Sequence, residues 1–513
     1  MSHAARIRQV GRPRLLAVDV RASFNLVARL TKYLSLTTLV PAAVALGYGE
    51  PPWPFLATAA IVGGVAVAVE RVTGSADSSV GTREGFLVVS LTWLVAALVG
   101  ALPYLLSSDP QLDRPLDAYF EAMSGFTTTG ASVLVDVEQM STSLRLWRQF
   151  TQWLGGIGII VLALAVLPRL RVGGRQLLEH EMPGPEIDSL STRIADTARR
   201  VWWLYVGLTV ALVAVLLAIH AVGADDRMTP FEAIAHALTT VSTGGFGTKG
   251  TSLGDFSAAS QWTIALFMLL AGMNFALLYR AFVRRQPRVL VRDEELRLYL
   301  GILSLASLVL AVLLATENIA GGEAAARHAI FQTISIMTGT GFSTVDFALW
   351  PPLAAMTLVA LMFVGGSAGS TTGSVKVIRH LLLWRILRRE LDQTVHPEVV
   401  APVRLNRQVV DERTLRAVSS FILLYMGIFI VGAGLLAIDA ARVGLELSVL
   451  EAVAAAATTL GNVGPGFGFA GPVGSFAPFS DFSTVVMTVL MWLGRLEVIP
   501  IVVLASRHYW RNF

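Results

Sequence analysis

Cysteine is absent from this 513-residue chain, and charged residues make up only 15% of it. Without cysteine, there is no disulfide framework, thiol nucleophile, thiolate metal site or iron–sulfur cluster. The eight histidines form no HxxxH or HExxH pair, and no paired carboxylates or Ser/His constellation lie within the apolar segments. These absences predict that the protein is not an enzyme.

A large excess of one charge is also missing, since 40 basic residues face 36 acidic ones. No basic tract is interleaved with aromatic residues, so nucleic-acid binding is not expected. Hydrophobic residues, in contrast, make up 54% of the chain, and the mean hydropathy is +0.63. Residues 86–106 and 202–222 contain no Lys, Arg, Asp or Glu, and roughly 20 such residues cross a bilayer. The sequence therefore predicts an all-α, polytopic membrane protein.

The apolar segments fall into an opening pair and a repeating series. The opening pair lies near 25–46 and 54–69, before a polar stretch at 71–84. Four times thereafter, a long apolar segment leads to a shorter segment rich in Ala, Ser and Thr, a loop rich in Gly and Thr, and a second long segment. The full spans of the series lie near 85–107, 147–168, 201–222, 260–283, 297–317, 353–383, 417–440 and 483–505. With the opening pair they make ten predicted spans.

Arginine is concentrated in every second connection, which places those connections in the cytoplasm by the positive-inside rule. A cleavable signal peptide is not expected, because the first 30 residues hold six arginines without a compact apolar core. Both termini are expected in the cytoplasm, since the number of spans is even and the tail is basic. The opposite face is richer in acid, which would concentrate cations, although most of these side chains are singly expected to be solvated loop charges. They are Asp117, Glu121, Asp136, Glu138, Asp225, Asp226, Glu232, Glu323, Asp346, Glu446, Glu451 and Asp481.

The four glycine loops align with one another. They read TTTG at 127–130, VSTG at 241–244, TGTG at 338–341 and GNVG at 461–464, and their last glycines are 114, 97 and 123 residues apart. A second marker follows each loop, namely WLGG at 153–156, LLAG at 269–272, FVGG at 363–366 and WLGR at 492–495. Two markers in register, four times over, indicate a fourfold internal repeat.

Irregular backbone at membrane depth is tolerated only where it is buried in protein or faces a water-filled path. Glycine permits positive φ, so consecutive carbonyls can turn toward one axis and replace the hydration shell of a cation. Each short helix ends at its loop and adds partial negative charge there. The alternative is that the loops are close-packed helix faces or flexible outer loops. The predicted ion-binding residues are Thr128, Thr129, Gly130, Ser242, Thr243, Gly244, Gly339, Thr340, Gly341, Asn462, Val463 and Gly464.

Several longer motifs carry a family resemblance. They are SGFTTTGAS at 124–132, TVSTGGF at 240–246, TGFST at 340–344, NVGPG at 462–466, GGIGII at 155–160, EMPGP at 181–185 and GGSAGSTTG at 365–373. On these motifs the chain resembles the Trk/Ktr/HKT superfamily of potassium transporters, most closely its TrkH branch, over nearly its whole length. The resemblance implies K⁺ uptake through one central pore built from four M1–P–M2 repeats, with the opening pair as an extra amino-terminal hairpin.

The resemblance also implies a homodimer in the bacterial inner membrane that works with a cytosolic nucleotide-binding regulatory subunit, TrkA-like for this branch. K⁺ is the transported ion, and no organic cofactor is expected on this chain, which has no GxGxxG in a βαβ context. Serine at the first filter glycine goes with sodium transport in the superfamily, and Gly130 is glycine, so potassium selectivity is expected. A sodium or weakly selective monovalent cation transporter is the alternative. Gly339 departs from the family pattern, in which a Thr-like side chain is common.

The expected division of the chain follows the repeats. Residues 1–77 form the amino-terminal segment and hairpin, 78–175 repeat 1, 176–290 repeat 2, 291–395 repeat 3 and 396–513 repeat 4. The basic linkers near 284–297 and 385–413 are candidate docking surfaces for the regulator, although basic inner loops are expected in any case.

Residues 365–373 are too rich in glycine for a stable helix, since each Gly costs about 1 kcal/mol relative to Ala. They predict a broken helix whose loop gates the pore beneath the filter, and the alternative is small-residue helix packing. The predicted gate residues are Gly365, Gly366, Ser367, Ala368, Gly369, Ser370, Thr371, Thr372, Gly373 and Arg495.

Arg495 takes the place that glycine has in the other three markers. A charge at this depth needs a partner or a task. Two interpretations stay open: Arg495 binds carbonyls of the gating loop or forms a positive barrier, or it pairs with Glu497 or another buried acid. Lys376 is expected to snorkel at the inner interface.

Overall fold

A computed structural model of the protein describes residues 18–74, 81–165, 189–398 and 401–510. Regular structure in these ranges is helical apart from a short antiparallel pair of strands, Arg404–Leu405 and Gln408–Val409. The amino-terminal hairpin consists of Val20–Thr37, Leu39–Tyr48 and Trp53–Thr73. Its arms are joined by ion pairs from Lys32 (2.5 Å) and Arg29 (3.2 Å) to Glu70.

Each repeat has a long first helix (M1), a short pore helix (P) and a second helix (M2). The M1 helices are Thr82–Ser107, Ser189–Ala221, Glu294–Thr316 and Glu412–Val443. The pore helices are Pro115–Phe126, Pro230–Val241, Gly322–Met337 and Val449–Gly461. The M2 helices begin with Thr142–Ala165, Ala258–Ala271, Pro352–Met362 and Asp481–Arg495. The predicted fold, four M1–P–M2 repeats with an amino-terminal hairpin, is confirmed.

Two of the four predicted repeat boundaries fall within the residues that the structure describes. The boundaries at 77/78 and 175/176, and the EMPGP motif at 181–185, lie outside those residues. The boundary at 290/291 falls inside the short helix Arg288–Arg292, and the one at 395/396 falls at the end of the helix Val377–Val395.

Three of the four M2 helices are broken, whereas the sequence predicts a break in repeat 3 alone. In repeat 2 the chain bends by 103° between Ala258–Ala271 and Phe275–Val283, and in repeat 4 by 115° between Asp481–Arg495 and Ile499–Ala505. The continuous spans predicted at 260–283 and 483–505 are therefore wrong. The side chain of Asn274 accepts from two backbone N–H groups and starts a new helix, while Glu497 and Val498 take left-handed backbone (φ 55° and 60°). Neither feature changes the apolar composition, so hydropathy does not reveal it.

Within the described part of the chain, six helices are long and apolar enough to cross a membrane, or eight if each bent pair is one span. The six are the two arms of the hairpin and the four M1 helices. The other two of the ten predicted spans are M2 of repeat 1, which ends where the described residues end, and M2 of repeat 3. The latter is divided into Pro352–Met362 and Val377–Val395.

The carboxyl-terminal halves of the pore helices lie at the centre of the core. In repeat 3 every residue of 331–337 is buried, and in repeat 4 every residue of 454–461 is buried. In repeat 4 these side chains are mostly Ala and Thr, and such short side chains allow the surrounding helices to approach closely. All four pore helices thereby end at the middle of the molecule.

The amino-terminal ends of three M2 helices are capped by buried or half-buried carboxylates from elsewhere in the chain. Asp225 accepts from Ser257 N (2.7 Å) and Ser260 Oγ (2.6 Å) in repeat 2. Asp439 accepts from Ser483 Oγ (2.6 Å) in repeat 4. In repeat 1 the amino-terminal hairpin supplies the equivalent group, Glu50, so the hairpin completes a pore repeat.

Glu50 accepts from the backbone N–H groups of Thr142 (2.7 Å) and Ser143 (2.8 Å). Burial on its own would raise the pKa of Glu50, but hydrogen bonds from Ser143 and Thr142 outweigh it and lower the pKa. A lowered folded-state pKa stabilises the protein above the ordinary pKa, and this stability is lost as the pH falls through the folded-state value.

We therefore expect the unfolding temperature of the detergent-solubilised protein to fall less steeply in Glu50→Gln than in the wild type between about pH 6 and pH 3. Above that range the variant is expected to be the less stable of the two. Parallel curves for the two proteins would show that Glu50 does not carry this part of the acid sensitivity.

Candidate ion pathway

The four glycine loops share one backbone conformation. Each begins with a left-handed residue directly after, or one residue after, the end of its pore helix, and a left-handed glycine follows two residues later. The first positions are Thr128, Thr243, Gly339 and Asn462, with φ of 52°, 53°, 68° and 53°. The second positions are Gly130, Gly245, Gly341 and Gly464, with φ of 85°, 79°, 78° and 109°.

This conformation corrects the alignment of the second loop by one residue. The sequence aligns Gly244 with Gly130, but the structure places Gly245 at the equivalent position. The reason is the end of the pore helix: its C-cap is Thr127 in repeat 1 and Ser242 in repeat 2, and the left-handed glycine comes three residues later in both. Two adjacent glycines made the sequence alignment ambiguous.

The loops close into a ring. A Cβ atom on each left-handed glycine would overlap a backbone carbonyl oxygen of the next loop, so only hydrogen fits there. The contacts run from repeat 1 to 2, 2 to 3, 3 to 4 and 4 to 1, and the pairs are Gly130 with Gly244 O, Gly245 with Thr340 O, Gly341 with Val463 O, and Gly464 with Thr129 O. The predicted residues of all four loops are thus brought together at one level.

Side chains behind the ring hold adjacent loops. Gln152 donates to Gly244 O (2.6 Å) and accepts from Phe246 N (3.0 Å), which fixes both sides of the second loop. Asn462 donates to Thr129 Oγ1 (2.9 Å) and to Met491 O (2.9 Å), which joins the fourth loop to the first. Both amides are almost fully buried. Asn462 is among the ion-binding residues predicted from the sequence, whereas Gln152 is not.

A buried ion pair also supports the ring. Arg148 on M2 of repeat 1 lies 2.7 Å from Glu121 on the first pore helix, and their side chains are 1% and 0% exposed. Glu121 accepts from Val133 N (3.1 Å), and Arg148 donates to Gly247 O (3.2 Å). The pair therefore connects the segments that follow the first and second loops.

The expectation that most outer acids are solvated loop charges is wrong for several of them. Glu121, Asp225 and Glu232 are all less than 9% exposed and have hydrogen-bond partners. Arg148 was not selected from the sequence at all. The available signal was a charge of each sign inside neighbouring apolar helices, which at membrane depth indicates a pair.

The register of the second loop can be tested with its two adjacent glycines. A Cβ on Gly245 meets rigid backbone, the carbonyl of Thr340, at a φ of +79°. A Cβ on Gly244 meets the side chain of Gln152 and no backbone of the next loop, at a backbone conformation that alanine adopts. We expect Gly245→Ala to reduce cation flux in proteoliposomes by about tenfold or more and Gly244→Ala to reduce it less. Equal losses, or the opposite order, would contradict the corrected alignment.

Residues 363–376, hereafter the inner loop, separate the two helical parts of M2 in repeat 3. The predicted irregular segment at 365–373 lies within this loop. Thr371 Oγ1 is 3.2 Å from Thr243 Oγ1 and 3.3 Å from Val241 O, at the end of the second pore helix. A Cβ on Gly373 would overlap Gly461 O, at the end of the fourth. The inner loop therefore lies against the ring on the side where the pore helices end.

Arg495 is 2% exposed and reaches the inner loop. It donates to Thr371 O (2.9 Å) and to Gly155 O (3.2 Å) on M2 of repeat 1. The alternative partner, Glu497, instead lies 2.5 Å from Arg379, so the predicted pairing of Arg495 with Glu497 is wrong. The left-handed turn at Glu497 directs its carboxylate to the helix that follows the inner loop.

Lys376 does not snorkel at the inner interface as predicted. It is 7% exposed, and its Nζ donates to Thr372 O and to Thr372 Oγ1, the latter at 2.9 Å. The compact inner loop draws the ammonium group inward, because it offers oxygen acceptors in place of water.

The whole chain, and not the ring alone, can be compared with known proteins. A family model described as TrkH, Cation transport protein, matches residues 57–511. The chain is 38% identical to the Trk system potassium uptake protein TrkH of Escherichia coli K12, over 96% of this chain and 99% of that protein. It is 34% identical to the protein of the same name from Halomonas elongata, over 96% and 100%.

The fold comparison agrees with the sequence comparison. The crystal structure of the potassium transporter TrkH from Vibrio parahaemolyticus matches with a TM-score of 0.85 at 35% identity, over 96% of this chain and 100% of that one. The match includes the amino-terminal hairpin and all four repeats, since so little of either chain is left out. The chain belongs to the TrkH family of cation transport proteins.

Proposed function

We propose that the protein takes up K⁺ across the bacterial cytoplasmic membrane through the ring of glycine loops. The closed ring carries the proposal: four loops of the same backbone conformation meet glycine to carbonyl. The relatives named as potassium uptake proteins of the Trk system support the choice of ion. Potassium is the substrate and not a resident cofactor.

The ring is the proposed selectivity filter. Backbone carbonyls at Thr128, Thr129 and their equivalents replace the water around the ion. The carboxyl-terminal ends of four buried pore helices add about half a negative charge each. The filter consists of the twelve residues predicted from the sequence with Gly245 added, and glycine at all four second positions is the basis for potassium over sodium.

The inner loop is the proposed gate. In its present position it contacts the ends of the second and fourth pore helices, so an ion leaving the ring meets the loop. Arg495 holds the loop through Thr371 O and places a positive charge below the filter. Both effects oppose the passage of a cation.

The proposed setting follows from the family. The protein works as a homodimer, multi-pass in the inner membrane with both termini in the cytoplasm, and with a cytosolic nucleotide-binding regulator of the TrkA kind. The "Trk system" in the names of the relatives supports an association with further components. The five-part division of the chain is proposed with the same boundaries as above.

Growth and flux test the function together. We expect the protein to rescue a bacterial strain without its own potassium uptake systems on limiting potassium, and to carry Rb⁺ but little Na⁺ in proteoliposomes. Gly130→Ser is expected to raise the relative Na⁺ flux. Gly301→Ala serves as the control, because nothing lies within 4 Å of a Cβ there. Rescue failure with strong Na⁺ flux would assign the ring to sodium, and no flux at all would refute the proposal.

A further inference from the structure

One carboxylate at the start of M1 in repeat 3 reaches the inner loop. Glu295 is the second residue of that helix and is 5% exposed. Its Oε1 accepts a hydrogen bond of 2.6 Å from the backbone N–H of Ala368. The preceding residue, Ser367, donates its N–H to Gly272 O (2.9 Å) at the break in M2 of repeat 2. The first half of the inner loop is thus held by M1 of its own repeat and by M2 of repeat 2.

The residues just before Glu295 bind a different part of the chain. Glu294 accepts from Arg385 (2.8 Å) and from Asn406 N (3.0 Å). Asp293 accepts from Asn406 Nδ2 (3.1 Å). We call Asp293, Glu294, Arg385 and Asn406 the linker cluster, because it joins the linker before repeat 3 to the linker before repeat 4.

Two adjacent residues at the start of M1 in repeat 3 therefore contact the linker cluster and the inner loop. Glu294 faces the linkers, and Glu295 faces Ala368. Asp293 caps this helix by accepting from Leu296 N (2.8 Å), so the first turn is fixed and a displacement of the turn moves both carboxylates. Arg385 lies on the helix that follows the inner loop, so its bond to Glu294 joins that helix to the start of M1 as well.

We propose that Glu295 is a positioning residue that holds the inner loop against the ring and couples its position to the linker cluster. The bond to Ala368 exists only while the loop lies in this position, so it favours the blocked state over any state in which the loop has moved. A change at the linkers that shifts the first turn of M1 weakens the bond and releases the loop. The inference rests on the proposed function, since it needs the inner loop to limit flux.

Three substitutions at Glu295 separate the hydrogen bond from the carboxyl group. Glu295→Gln keeps an oxygen that can accept from Ala368 N, so Rb⁺ flux into proteoliposomes is expected within about twofold of wild type. Glu295→Ala leaves the half-buried N–H of Ala368 without this acceptor and is expected to raise the flux by about tenfold. Glu295→Asp withdraws the carboxylate by one methylene and is expected to raise flux less than alanine does. It also keeps the carboxyl group, so it remains informative where the alanine variant does not fold.

The position of the inner loop can be measured separately from ion flux. The chain contains no cysteine, so Ser370→Cys introduces a single thiol into the buried inner loop. We expect a water-soluble thiol reagent to modify it faster when Glu295→Ala or Glu295→Asp is also present, and at an unchanged rate with Glu295→Gln. A purely structural role for Glu295 would lower the unfolding temperature without this pattern.

Asn406→Ala tests the coupling. It is expected to raise flux in the wild-type background and to add little in Glu295→Ala, because both act through the same bond. Equal effects in the two backgrounds would overturn the coupling to the linkers. Wild-type flux in a folded Glu295→Ala, or a leak as large in Glu295→Gln as in Glu295→Ala, would overturn the positioning role. Absence of cation flux in the wild type would instead overturn the proposed function.

Discussion

Replacing Arg495 by glutamine is expected to raise K⁺ flux by about tenfold or more. Arg495 donates to Thr371 O of the inner loop and to Gly155 O of M2 in repeat 1, and it is almost fully buried. A hydrogen bond from a charged donor contributes about 1.5 to 3 kcal/mol, and this bond favours the loop position that we propose to be the blocked one. Removing it shifts the loop toward positions that leave the path open.

The same substitution removes a positive charge from the proposed path of the cation. Among the residues that the structure describes, Glu497 is the acid nearest in sequence, and it pairs with Arg379. The guanidinium of Arg495 is instead bound by the carbonyl oxygens of Thr371 and Gly155, which do not neutralise its charge. Loss of this charge lowers the electrostatic barrier to K⁺, so both effects of the substitution act in the same direction.

Rb⁺ flux in proteoliposomes measures the result, with the unfolding temperature as a check on folding. Arg495→Lys keeps the charge but cannot bridge two carbonyls in the same geometry, so its flux is expected between those of the wild type and Arg495→Gln. Arg227→Gln is the control, an exposed arginine just before the pore helix of repeat 2. A folded Arg495→Gln with wild-type flux would show that neither the bond nor the charge limits transport.

The repeats and the inner loop could be predicted from the sequence because local composition determines both. A Gly- and Thr-rich loop after a short Ala-rich helix leaves the same trace wherever it occurs, and nine residues such as 365–373 cannot continue a helix. The register of the second loop was less accessible. It depends on whether the C-cap of the second pore helix is Val241 or Ser242, and the adjacent pair Gly244 and Gly245 fits either choice.

Most features that depend on contacts between residues distant in the sequence could not be predicted from it. The breaks at Asn274 and Glu497 occur in segments whose hydropathy is that of a continuous span. Lys376 is basic and lies near a helix end, as a snorkelling residue does, but its acceptors are supplied by the fold of the inner loop. The carboxylates Glu121 and Asp225 are acids in outer connections by sequence, and only their folded partners distinguish them from solvated charges.

Glu121→Gln is expected to destabilise the protein by about 3 to 5 kcal/mol, the usual result of breaking a buried pair by removing one partner. Arg148 would keep its charge in a site where it is 1% exposed. The damage is expected to reach the ring, because Glu121 binds Val133 N after the first loop and Arg148 binds Gly247 O after the second. The measurement combines thermal unfolding in detergent with the ratio of Rb⁺ to Na⁺ flux.

The double variant Glu121→Leu with Arg148→Met separates stability from selectivity. Apolar residues of similar volume can replace a buried pair at little cost in stability, so its unfolding temperature is expected to recover most of the loss. The bonds to Val133 N and Gly247 O do not return, so the relative Na⁺ flux is expected to stay above that of the wild type.

Glu323→Gln is the matched control, because its pair with Arg327 (2.9 Å) also joins residues of a pore repeat but leaves the Glu323 side chain 58% exposed. An exposed pair contributes about 0 to 1 kcal/mol, so little change is expected. If the double variant is as selective as the wild type, the pair serves folding alone. If it is stable and carries more Na⁺, the pair holds the first two loops at the spacing that potassium requires, and selectivity depends on a contact behind the ring as well as on the glycines within it.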